Sequence, residues 1–365
     1  MYILFDLDGT LTDTEALHNK VDSIILQKFN INFEKELKNK TFGLDETTGL
    51  RQMEVFDFYI KKFKLKNVTS KDLLEEKVSL FQKSKISLFK GMRKTLVELK
   101  KQHNLVIVTS GHPDVVDVIL EKTNIRDFFD LIITSKDVNE GKPSPVPFET
   151  AIKKLKVKKE NCVVIEDSPN GIISGKKTGV ITIGVPNTFT PEVLREAGAD
   201  YVCLNPLLLL NAINWISGDF EYEIKGNLID ELKGRGIGYS KGKRYFVDIL
   251  QAAYLTELKK IDSPALKFVK TNKFLKKRYL TFKNLREKIH VSNYVPSEDL
   301  FLVYEKGMMP KNSQSEYVVI LAENLEWDYL EKIKEYTRKA RKDLIISSIR
   351  NNGKVDYYKL QEVIM

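Results

Sequence analysis

Only two cysteines occur in the 365 residues, Cys162 and Cys203. Two thiols on apolar, strand-like stretches are too few for a disulfide framework or a thiolate metal centre, and both are expected as reduced core residues of a cytoplasmic protein. Long apolar runs are missing as well. The largest patches, such as Leu207-Leu208-Leu209-Leu210, fall far short of the roughly 20 residues that span a bilayer, so no membrane partner is expected. The chain enters an apolar run at once, so no signal peptide is expected. Low-complexity tracts and repeats are absent, and the length suits two or three domains with sizeable cores. Charge is uneven. Residues 1–218 hold 31 Lys+Arg against 29 Asp+Glu, whereas residues 219–365 hold 28 against 21, net charges of +2 and +7. The basic final part suits a polyanionic partner such as nucleic acid, or simply a solvated lysine-rich surface.

What is present is sharpest at the start. Tyr2-Ile3-Leu4-Phe5 reads as a buried strand and delivers Asp6-Leu7-Asp8-Gly9-Thr10. Alternate residues of an extended chain point the same way, so Asp6 and Asp8 can face one site. Two close carboxylates call for a cation, and Mg²⁺ suits carboxylate oxygen. Open α/β sheets bind ligands at the carboxyl ends of their strands. Residues 14–85 carry helical periodicity over Glu15–Phe29, Glu46–Lys64 and Ser70–Lys85, which reads as a helical insertion. Strand Leu105–Val108 then ends in Thr109-Ser110-Gly111, whose hydroxyl and N–H groups suit a phosphate oxygen. Strand Leu131–Thr134 leads to Gly141-Lys142-Pro143-Ser144-Pro145 and a helix, and a lysine near a helix start favours a bound anion. Strand Cys162–Ile165 delivers Glu166-Asp167-Ser168-Pro169. Val180–Val185 and Tyr201–Leu204 complete a βα alternation, so the expected fold is a Rossmann-like, doubly wound parallel α/β sheet with an inserted helical cap.

The order and spacing of these four strand ends resemble the haloacid dehalogenase-like hydrolases, in the subgroup with a helical cap after the first motif. The resemblance covers residues 1–217, with the cap at about 14–86. It implies Asp6 as nucleophile, Asp8 as general acid and then base, and Thr109 and Lys142 as holders of the phosphoryl oxygens. It implies Mg²⁺ held by Asp6, the carbonyl of Asp8, and Asp167, with Glu166 close by. The second aspartate, Asp8, sets the chain apart from the dehalogenase branch; a phosphoryl mutase stays open. His18, Gly43, Arg51, Lys90 and His112 are candidates for lining the entrance.

Beyond a boundary near 218, Leu232-Lys233-Gly234-Arg235-Gly236-Ile237-Gly238 and the helix opening Asp248-Ile249-Leu250-Gln251-Ala252-Ala253-Tyr254 resemble the small N-terminal domain of archaeal tRNA-intron endonucleases, placed at 218–265. The strings Leu302-Val303-Tyr304-Glu305, Ala340-Arg341-Lys342-Asp343-Leu344 and Val355-Asp356-Tyr357-Tyr358 resemble that family's α+β catalytic domain, placed at 266–365. The resemblance implies that Tyr304 and Lys342 occupy the tyrosine and lysine positions of a metal-independent RNA-cutting trio. Gln314 stands where the family has its acid, a histidine, and an amide cannot protonate an alkoxide at neutral pH. The expected module is therefore impaired as a nuclease and serves RNA binding or assembly, as a homodimer or beside an active endonuclease subunit. The whole chain then reads as a Mg²⁺-dependent phosphohydrolase acting on a phosphorylated small molecule or an RNA end, joined to a tRNA-splicing-type module. The alternative is a tRNA-intron endonuclease, or its non-catalytic subunit, acting on a tRNA precursor.

Overall fold

Ile3, Leu4 and Phe5 have no solvent exposure, and the strand that carries them, β1 (Tyr2–Phe5), lies inside a six-stranded sheet. Burial on both faces is what a near-continuous apolar run requires of a parallel strand. The computed structural model describes residues 1–33, 51–204, 206–216, 221–235, 237–241, 243–271, 273–288, 291–295, 300–304, 317–322, 327–339 and 341–360. The chain divides into two units, Met1–Leu210 and Asn211–Met365.

In the first unit β1 is followed, among the described residues, by helices α1 (Glu15–Gln27), α2 (Gln52–Phe63) and α3 (Ser70–Lys83), where the sequence placed a helical insertion. Then come α4 (Met92–Lys100), β2 (Asn104–Val108), α5 (Pro113–Thr123), β3 (Leu131–Ile133), α6 (Val146–Leu155) and β4 (Cys162–Glu166). They are followed by α7 (Pro169–Thr178), β5 (Ile181–Gly184), α8 (Pro191–Glu196), β6 (Tyr201–Val202) and, across the division, α9 (Leu209–Ile216). The sheet order β3-β2-β1-β4-β5-β6 is parallel throughout, which is the Rossmann-like α/β arrangement. The chain crosses into and out of the cap as a narrow ribbon. Asp13 N–H bonds to Ser87 O, Phe89 N–H bonds to Leu11 O, and Thr12 bridges Leu88. Inside the cap, the buried Lys77 donates to Asp22 at 2.8 Å and Tyr59 donates to the same carboxylate at 3.2 Å, tying α3, α1 and α2 together.

The second unit opens with β7 (Glu221–Ile224), α10 (Leu228–Gly234), β8 (Tyr239–Lys241) and β9 (Arg244–Asp248), whose strands form an antiparallel sheet in the order β7-β9-β8. Helices α11 (Ile249–Glu257), α12 (Ala265–Thr271) and α13 (Lys273–Glu287) follow. Asp248 caps α11 by accepting from Gln251 N–H at 2.8 Å. A five-stranded sheet follows, built from β10 (Val291–Val295), β11 (Leu300–Tyr304), β12 (Tyr317–Leu321), β13 (Asp343–Ile349) and β14 (Val355–Lys359), in chain order. Its one parallel pair, β12–β13, is joined through helix α14 (Trp327–Lys339). One apolar cluster draws on Ile224, Val247 and Leu250 as well as Phe282, Phe301 and Val319. Both segments expected as separate domains, 218–265 and 266–365, thus contribute to one core. Three strands fall where the sequence suggested none: β7, β8 and β10. No helix among the described residues is long and apolar enough to cross a membrane.

Candidate active site

The parallel register decides the geometry. Phe5 pairs with Ile107 on one side and Ile165 on the other, so the next residues, Asp6, Val108 and Glu166, come level at the carboxyl edge of the sheet. Lys142, on the loop after β3, joins all three. Its Nζ lies 2.6 Å from Asp6 Oδ1, 2.8 Å from Val108 O and 2.6 Å from Glu166 Oε1. The lysine is 5% exposed and Glu166 1%. Burial works against the ammonium, but Asp6 and Glu166 overcome it and raise the Lys142 pKa, so it stays charged. The other oxygen of Glu166 accepts from Asp167 N–H, Ser168 N–H and Ser168 Oγ–H.

Asp167 accepts from Thr10 Oγ1 at 3.0 Å. Its carboxyl oxygens and those of Asp6 and Glu166 offer ligand atoms within 4.8 Å of one another. Burial, Glu166 and nearby carboxylates push Asp167 well above the usual carboxylate range; burial does the same to Asp6 despite Lys142. Three buried carboxyls against one ammonium leave a deficit of positive charge, and an all-oxygen donor set is the kind that a hard divalent cation takes. The residues present therefore fit Mg²⁺.

Asp8 is held differently. Its Oδ1 accepts from Thr14 Oγ1 at 2.6 Å and lies 2.9 Å from His18 Nε2. Burial pushes its pKa up, but His18 and Thr14 more than offset this and bring it below the ordinary value. Its Oδ2 faces Gly111, where an added Cβ would stand 3.8 Å from that oxygen and 3.3 Å from Thr109 Oγ1. Thr109 Oγ1 accepts from Gly111 N–H at 3.0 Å, which leaves its own proton to donate. Asp8 and Thr109 thus border the same space from two strands.

Two glycines are set by close approach. Gly9 has φ +75°, and a Cβ there would overlap the Asp167 carboxylate and crowd Thr188 Oγ1. A Cβ on Gly171 would overlap the Glu166 carboxylate. We expect Gly171→Ala to push Glu166 off Lys142 and lower kcat about 10²-fold, the scale of a roughly 1 Å misplacement. Steady-state assays beside a circular-dichroism check of folding test this.

The structure brings together Asp6, Asp8, Thr109, Lys142, Glu166 and Asp167. Of the entrance candidates, His18 reaches Asp8, while Arg51 bonds to Glu54 and to the carbonyl of Val138 at 3.0 Å. His112 caps α5, accepting from Asp114 N–H; Gly43 lies outside the described residues. Thr10, Thr14 and Thr188 were missed. The signal for Thr14 was its place before Glu15 as a helix N-cap, one turn from His18. In the second unit Tyr304 ends β11 and Lys342 immediately precedes β13, at the same end of the sheet because Val303 pairs with Tyr317 and Tyr317 with Asp343. Lys342 Nζ lies 5.9 Å over the Tyr336 ring; burial and the neighbouring Tyr336 raise the Tyr304 pKa. Gln314 lies outside the described residues.

The sequence model of the haloacid dehalogenase-like hydrolases matches residues 3–185. Pyrophosphatase PpaX of Oceanobacillus iheyensis is 32% identical over 204 residues, 55% of this chain and 90% of that protein. A phosphorylated carbohydrates phosphatase of Thermotoga maritima is 29% identical over 215 residues, 58% and 97% of the two chains. The beta-phosphoglucomutase of Bacillus subtilis is 29% identical over 188 residues, 50% and 82%.

Proposed function

The chain belongs to the haloacid dehalogenase-like hydrolases, and from that premise we propose that its first unit is a Mg²⁺-dependent phosphohydrolase acting on phosphate monoesters of small molecules. The observation that carries this reading is Lys142 joining Asp6 and Glu166 at the strand ends, with Asp167 beside them and Asp8 across from Thr109. A bound Mg²⁺ would be held by Asp6, Asp167 and the Asp8 carbonyl, and would neutralise charge on the transferring group.

The side chains divide the work. Asp6 attacks phosphorus through a carboxylate oxygen, forming an acyl phosphate as the ester oxygen leaves. Lys142 and the Thr109 hydroxyl hold the equatorial oxygens. Asp8 stands in this arrangement as a carboxylate, because His18 and Thr14 favour its ionised form. An arriving phosphate dianion raises its proton affinity through like charge, so it gains a proton as substrate binds and gives it to the leaving oxygen. It then takes a proton from the water that cleaves the acyl phosphate. A helical cap favours a small sugar phosphate or polyol phosphate over a polymer end, in keeping with the phosphorylated carbohydrates named for one relative. Hydrolysis of p-nitrophenyl phosphate tests the reading: turnover that vanishes in EDTA and returns with Mg²⁺ supports it. A folded protein with no Mg²⁺-dependent turnover of any phosphate monoester rejects it.

A second reading concerns residues 218–365, as a tRNA-splicing-endonuclease-like module for RNA binding or assembly. It is favoured by Tyr304 and Lys342 each lying near Tyr336 at one sheet end. Incubation with a bulge–helix–bulge RNA tests it: retention without cleavage fits an impaired module, cleavage lost in Tyr304→Phe fits an active nuclease, and neither removes the reading.

A further inference from the structure

The sheet β7-β9-β8 turns one face to the core, through Ile224, Tyr245 and Val247. Its opposite face carries flat groups in a row. Tyr239 pairs with Phe246 across β8 and β9, their rings 6.4 Å apart and 27° from parallel, and both are half-buried. Arg244, two residues before Phe246 and therefore on the same face, lays its guanidinium 5.7 Å from the Phe246 ring centre. Arg244 is exposed, as is Lys243 in the adjoining turn. On the other flank the exposed Glu223 pairs with Phe246 from β7. The face is thus basic at the β8–β9 turn, aromatic in the middle and acidic along β7.

We propose that this face binds single-stranded nucleic acid, stacking bases on Tyr239 and Phe246 while Arg244 and Lys243 contact the backbone phosphates. Sequence-tolerant single-strand binding combines these two ingredients, ring faces for bases and a basic edge for phosphates. The occupant is argued from charge: the excess of +7 in residues 219–365 favours a polyanion, and half-buried rings beside an exposed guanidinium favour one with unstacked bases over a duplex or an acidic peptide. The like charge of Glu223 directs the phosphates toward the β8–β9 turn. The inference rests on neither reading above, because none of these residues belongs to the phosphatase site or to the Tyr304–Lys342 end of the other sheet.

Fluorescence anisotropy of the full chain with a labelled 12-nucleotide oligouridylate, at 50 and 200 mM salt, tests it. Tyr239→Ala and Phe246→Ala should each weaken binding about five- to a hundred-fold, whereas Tyr239→Phe should not. Arg244→Ala should weaken binding and flatten the slope of log affinity against log salt by about 0.7, one phosphate's share. Glu223→Gln should tighten binding. Circular dichroism shows that the variants are folded. No binding at 50 mM salt, equal affinity for a duplex of the same length, or parental affinity in a folded Tyr239→Ala/Phe246→Ala double variant would each overturn the proposal.

Discussion

An Asp6→Asn variant is expected to lose phosphate-ester turnover by about 10³-fold or more, the order seen when a covalent nucleophile is removed. The substitution is nearly isosteric, and the amide oxygen can still accept from Lys142, so the sheet edge should keep its shape. What disappears is the carboxylate proposed to attack phosphorus. Because Asp6 Oδ1 and the Glu166 carboxylate share the same ammonium, the variant should still bind inorganic phosphate while failing to form the acyl phosphate. Single-turnover mixing with p-nitrophenyl phosphate separates binding from chemistry. Parental turnover in a folded Asp6→Asn protein would remove the aspartate from the mechanism altogether.

Lys142→Ala should damage activity and stability together. The side chain is the buried cation among Asp6, Glu166 and Asp167, and removing one partner of a buried ion pair costs about 3–5 kcal/mol because the remaining charge is stranded. Its effect has a pH signature. Asp6 and Asp167 have folded pKa values raised above those of the unfolded chain, so the folded state holds protons that the unfolded state has released. Stability from these groups is therefore present at low pH and is lost as pH climbs above about 4 through their folded values. The Lys142 pKa is also raised, but its contribution is complete below about 10.4 and adds no slope between pH 5 and 8. In EDTA the parent should melt at falling temperature from pH 5 to 8, Lys142→Ala should fall more steeply, and Mg²⁺ should flatten both. Thermal melts at four pH values check this; a rising slope in EDTA, or a Lys142→Ala melt equal to the parent's, contradicts the charge balance described.

The phosphatase half was legible because each of its candidate site residues sits within a residue or two of a strand end or on one short turn. Asp6, Thr109 and Glu166-Asp167 follow apolar runs that could hardly be anything but buried parallel strands. Lys142 was legible from the string around it, although α6 begins four residues later than a helix-start lysine would imply. The partners of Asp8 were not legible. His18 and Thr14 reach it through the way α1 returns over the sheet, and no local pattern separates a helix-face histidine that touches a carboxylate from one that touches water. In the second unit, β7 has only four residues, two of them glutamate, and β8 only three, too little for alternation to stand out. Their pairing with β9 supplies what their own sequences lack. Helix α14 ends at Lys339, and β13 takes up the chain from Asp343.

The two-strand neck between cap and sheet has a consequence for Asp8. Asp8 belongs to the base, but the hydroxyl and imidazole that keep it deprotonated, on Thr14 and His18, lie on the far side of that neck. Were the cap to swing away from the sheet, Asp8 would lose both partners and would hold a proton more readily, so the opening of this neck and the charge on Asp8 would be linked.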